Sequence, residues 1–145
     1  MSIILNFMNN NQKIIIFVGP DKVGKTEIAK ELSNKLNIPY FKNNNEQQIF
    51  NNKNVFINLL YYATPFLFQF LKQSKYSIIL DRFFPCEYVY SKVFNRKTDE
   101  SFIFEIDKKF SELNTIIIYC FKNNYRNYSD KLIEFKHIDE IKNKY

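Results

Sequence analysis

The stretch "GPDKVGKT", residues 19–26, contains the only two glycines in a chain of 145 residues. Their spacing satisfies G-x-x-x-x-G-K-[ST], in which each fixed position has a chemical reason. Gly19 and Gly24 let the backbone turn where a Cβ would clash and let it approach an anion closely. The amides along Asp21, Lys22, Val23 and Gly24 can then point inward as a nest for phosphate oxygens. Lys25 supplies a cation for terminal phosphates, and the Thr26 hydroxyl can ligate Mg²⁺. A second carboxylate of interest, Asp81, ends the apolar run "SIIL". There it can hold Mg²⁺ opposite Thr26, or it can cap the helix that follows.

Elements that would position these groups are legible on either side. Residues 13–18, "KIIIFV", form a continuous β-branched and aromatic run that predicts a strand buried on both faces. In residues 25–36, Ile28, Ala29, Leu32 and Leu36 recur at helical spacing. Further strands are expected at 38–41, 76–80 and 115–121. Helices are expected at 55–72, with a kink at Pro65, from about Pro85, at 99–113 and near the C-terminus. Alternating strands and helices predict an α/β domain, a three-layer fold with a parallel sheet of about four strands flanked by helices. Residues 1–12 read as an Asn-rich leader and 13–145 as a single domain.

Composition narrows the functional classes. The net charge is +6, yet only three of the 21 basic residues are arginines. The abundance of Asn, Lys, Ile, Phe and Tyr matches AT-rich coding, so the lysine excess is a weak sign of nucleic-acid binding. Cys86 and Cys120 match no metal or disulfide framework and read as reduced thiols. The only histidine, His137, reads as a surface residue on a charged segment. No window approaches a membrane span, and the expectation is a soluble, cytoplasmic protein.

"GPDKVGKT" followed by "LDRFFPCEYVYS" at 80–91 resembles the thymidylate kinase group of P-loop nucleotide kinases, over most of the chain. The resemblance implies ATP with Mg²⁺ as donor and a pyrimidine deoxynucleotide or deoxynucleoside as acceptor. It implies that Asp21 contacts the acceptor sugar and that Lys22 assists transfer. Arg82 and Lys42 would hold the acceptor phosphate, Phe66 and Gln69 would contact its base, and Arg126 would act from a lid. Homodimers are common in that group. Phe66 has an alternative reading as core, and Arg96 as either a third substrate-facing cation or a surface residue. Cys86 replaces a Ser common in relatives, and Lys131 is the only basic companion to the lid arginine. A fifth strand and the loop around the donor base are expected to be absent or compressed.

These residues suggest phosphoryl transfer from ATP to a deoxynucleoside monophosphate, with dTMP the closest match. Two other readings remain. A deoxynucleoside kinase would need a carboxylate such as Glu46 or Asp81 to act on a 5′-hydroxyl. A degenerate nucleotide-binding module would bind ATP without turnover.

Overall fold

A computed structural model describes residues 12–42, 53–122 and 135–144. Four strands, β1 (Ile14–Val18), β2 (Tyr40–Lys42), β3 (Ile78–Asp81) and β4 (Thr115–Tyr119), form one sheet in the order β2-β3-β1-β4. Every pairing is parallel. The helices are α1 (Lys25–Leu36), α2 (Lys53–Ser74), α3 (Phe84–Val93), α4 (Glu100–Ser111) and α5 (Phe135–Lys144).

The three layers follow from the period of β1. Side chains alternate across a strand, so a run without a polar residue needs cover on both faces. Ile14, Ile16 and Val18 pack with Phe68 and Leu71 of α2 and with Ile103, Ile106 and Phe110 of α4. Ile15 and Phe17 face the other way, onto Ala29 of α1, Val89 of α3 and Ile141 of α5. Phe110 is fully buried, and its ring centroid lies 5.2 to 5.9 Å from those of Phe83, Phe68 and Phe84. Truncating such a residue to Ala costs about 3–5 kcal/mol.

Helix limits follow local chemistry. Asp99 caps α4 by accepting from the Phe102 amide at 3.0 Å, and Asn37 closes α1 in the left-handed region at φ 52°. Helix α2 continues across Pro65.

The packing corrects two parts of the sequence reading. Ile28 is 49% exposed, because only Ala29 of α1 lies fully against the sheet while Leu32 and Leu36 pack at its margin. On α2 the inward positions are Thr64, Phe68 and Leu71, whereas Phe66 and Phe70 point outward. A helix rich in aromatics all round does not reveal from its pattern which stripe the core takes. Strand β4 is at the sheet edge, and its Ile116 and Ile117 are exposed.

Candidate functional site

The strand order places the chemistry. Parallel strands end together, and ligands of open α/β sheets bind beyond their carboxyl ends. The loop of residues 19–24 leaves β1, and Asp81 ends the adjacent β3 in register with Phe17. Lys42 ends β2 opposite Asp81. The Arg82 amide continues the ladder by donating to the Phe17 carbonyl at 3.0 Å, which holds Arg82 just past the sheet edge.

Both glycines of the loop have a structural reason. Gly19 has φ 129°, and a Cβ there would stand 2.0 Å from the Cys120 carbonyl oxygen. Gly24 has φ 91° and precedes α1 with no side-chain cap, so the first amides of that helix have no side-chain acceptor of their own from the N-cap. Lys22 also has positive φ, at 56°, and its side chain is exposed.

Lys25 is buried, and its ammonium donates to the Pro20 carbonyl across the loop. Burial is the main cause that lowers its pKa to about 8, with the neighbouring Arg82 charge adding to the effect. Arg82 forms an ion pair with Asp21, and its guanidinium lies over the Tyr90 ring, 5.3 Å from the centroid. Tyr90 donates to the other Asp21 oxygen at 3.2 Å. Burial opposes the Arg82 charge, but Tyr90 and Asp21 outweigh it and hold its pKa above the usual arginine value. Burial likewise lifts the Tyr90 phenol above its ordinary range.

Asp81 is the third centre. Thr26 Oγ1 donates to its Oδ2 at 2.6 Å, and the Tyr40 hydroxyl donates to the same oxygen at 3.0 Å. Its Oδ1 is buried without a hydrogen-bond partner. The capping alternative is corrected here: the N-cap of α3 is Phe83, and Asp81 turns toward Thr26. A carboxylate with one oxygen on a threonine hydroxyl and the other unpartnered fits Mg²⁺, a hard cation that takes few protein oxygens and completes its shell with phosphates and water. Among the described residues no cluster of three or more His, Cys, Asp or Glu forms a protein-only metal cage.

The remaining sequence candidates divide. Gly19, Asp21, Val23, Gly24, Lys25 and Thr26 share one loop and helix start, with Asp81 and Arg82 beside them. Lys42 is at the same sheet edge and exposed. Phe66 is 77% exposed, so the core alternative for it is corrected, and Gln69 is exposed next to it on α2. Arg96 is neither an unengaged surface cation nor part of this cluster: its guanidinium pairs at 3.0 Å with the buried Glu87. Arg126, Lys131 and Glu46 lie outside the described residues. Cys86 and Cys120 are free and buried.

Sequence reasoning missed two participants, Tyr40 as a partner of Asp81 and Tyr90 as a partner of Asp21. For Tyr40 the available signal was its two-residue offset from Lys42, which puts both on one face of β2.

The fold and this loop define a nucleotide-binding P-loop NTPase-type domain. The chain belongs to the ATPase family associated with various cellular activities (AAA), whose profile matches residues 15–143. Among solved structures it is similar to the YorR protein from Bacillus subtilis, crystallised in complex with phosphorylated GDP. That similarity has 26% identity and a TM-score of 0.59, and it covers 90% of this chain and 75% of the other. No curated protein matches. P-loop NTPases typically use ATP with Mg²⁺. No helix among the described residues is long and apolar enough to cross a membrane.

Proposed function

We propose that the protein is a nucleoside monophosphate kinase of the thymidylate kinase type, transferring the γ-phosphoryl group of ATP to a deoxynucleoside monophosphate. The observation that carries this reading is the Asp21–Arg82–Tyr90 cluster against the phosphate loop. It presents a partly buried guanidinium and a carboxylate where an acceptor's phosphate and sugar would sit. A hydrolytic P-loop site can use such an arginine on the transferring group, so dependence of turnover on an acceptor is the property that separates the two.

In this reading the loop amides and Lys25 hold the donor phosphates. Lys25 exchanges the Pro20 carbonyl for a phosphate oxygen, which restores a full counter-charge to its ammonium. Arg82 and Lys42 hold the acceptor phosphate from β3 and β2, with the two strand ends adjacent. Lys22 and Arg126 add positive charge around the transferring group. Thr26 and Asp81 would hold Mg²⁺, which neutralises charge on the β- and γ-oxygens. The protein contributes alignment and electrostatic stabilisation, and an acceptor phosphate that is already ionised needs no strong general base. Phe66 and Gln69 are the proposed base contacts.

The acceptor base is the open variable. The similar YorR structure contains a phosphorylated guanine nucleotide, so dGMP belongs beside dTMP in the test. ADP release from ATP·Mg²⁺ is measured with dTMP, dGMP, other monophosphates, the matching nucleosides, or no acceptor. Stimulation by a monophosphate and not by its nucleoside supports the proposal. Stimulation by nucleosides transfers the assignment to a deoxynucleoside kinase. ATP binding with no stimulation makes the domain a binding module.

A further inference from the structure

The Asp81 carboxylate is held by two donors from different parts of the chain. Thr26 comes from the start of α1 and Tyr40 from β2, and both donate to Oδ2, at 2.6 and 3.0 Å. Oδ1 is left buried and without a partner, on a residue only 1% exposed. Two donors converging on one oxygen restrain rotation of the carboxylate about its Cβ–Cγ bond. With Thr26 alone the restraint is weak, because its hydroxyl can rotate and its lone pairs are needed elsewhere once a cation arrives.

We infer that Tyr40 is a positioning residue for the nucleotide's divalent cation, pinning the Asp81 carboxylate beside the Thr26 hydroxyl and so in place for the cation or its bound water. This rests on the nucleotide-binding reading of the loop and does not depend on which acceptor is used. A phenol keeps its proton throughout the neutral range and so serves as a permanent donor to Asp81. Its ring is fixed independently of the hydroxyl. It packs against the core patch under α1, and the Lys30 ammonium lies 5.9 Å from its centroid. Removing the hydroxyl therefore leaves the packing in place.

Outer groups that orient metal-ligating side chains typically change metal affinity by about tenfold or more when removed. The test is Tyr40→Phe in the full chain, with two readouts. Calorimetry follows ADP binding with and without Mg²⁺, and Mn²⁺ electron paramagnetic resonance follows metal binding in the presence of ADP. The half-saturating metal concentration is expected to rise about tenfold, while metal-free ADP binding stays near wild type. An unchanged metal dependence overturns the inference. So does an equal loss of metal-free and metal-dependent binding, which would mark the hydroxyl as structural only. A wild-type protein that binds ADP·Mg²⁺ but transfers phosphate to no acceptor sinks the kinase proposal and leaves this comparison valid.

Discussion

Arg82 and Asp21, 61 positions apart in the chain, meet as an ion pair at the mouth of the phosphate loop. The pair gives a partly buried guanidinium its counter-charge while no ligand is bound, and an acceptor phosphate would compete with Asp21 for it. Arg82→Ala should lower kcat/KM for the acceptor by about 10²–10³-fold, the scale for removing one charge-stabilising donor. The KM for ATP should change little. Steady-state kinetics with each substrate varied separately checks this, and full activity of the variant would overturn the assignment of the acceptor site.

Nucleotide affinity should be pH-dependent through Lys25. Its pKa in the free protein is lowered to about 8, first by burial and then by Arg82. A bound phosphate favours the charged form. Below pH 8 the ammonium is already present and affinity is flat. Above it, binding must first restore a proton, so affinity falls by up to about tenfold per pH unit. Calorimetry in buffers of different ionisation enthalpy should show proton uptake on binding at pH 8.5. Lys25→Met should bind more weakly and without that uptake.

The two glycines should fail in different ways. In Gly19→Ala the new methyl meets the Cys120 carbonyl at 2.0 Å, so the β1–β4 junction must shift. A backbone clash of this kind predicts a loss of about 3 kcal/mol or more. Gly24→Ala meets no atom within 4 Å and carries only the strain of φ 91°, about 1–2 kcal/mol. Thermal unfolding should rank Gly19→Ala as clearly the less stable.

Glu87 and Arg96 form a pair in which each retains a buried polar atom without a partner. Burial raises the Glu87 pKa even though Arg96 pulls the other way. Arg96→Ala removes that pull and should cost about 2 kcal/mol at pH 7, below the figure for a fully buried pair because Arg96 is partly exposed. A raised carboxylate pKa means protonation favours the fold. The deficit should therefore shrink as the pH falls toward 4.5 and grow as it rises through the folded pKa. Denaturant titrations at pH 4.5 and 7 check the sign, and Glu87→Gln should show no such dependence.

Phe66 offers a test that separates ligand contact from packing. At 77% exposure it contributes little to the core, so Phe66→Ala should leave the thermal midpoint within about 1 °C, as expected for a surface substitution. If the ring stacks on the acceptor base, the acceptor KM should rise by about tenfold, on the scale of base–aromatic stacking. An unchanged KM would remove Phe66 from the site.

The phosphate loop, the buried strand before it and the helix after it were all determined by the sequence alone. Their signals are local: a fixed spacing of glycines, an unbroken β-branched run and a helical period. Asp81 was legible for the same reason, since an apolar strand ending in a carboxylate points to the ligand edge of a parallel sheet, whereas Arg82 was singled out through the resemblance to thymidylate kinases. Their partners depended on tertiary structure. Strand order brings β3 beside β1 and so joins Asp81 to Thr26 and Arg82 to Asp21, contacts between residues 55 and 61 positions apart. The Tyr40 hydroxyl reaches Asp81 only because β2 pairs with β3 in a register no local pattern encodes. On α2, every face carries aromatics, and the packing of Phe68 and Leu71 against β1 decided which of them left Phe66 outside. Periodicity assigns a segment to an element, while the choice of partner is settled by the long-range burial that one strand order permits.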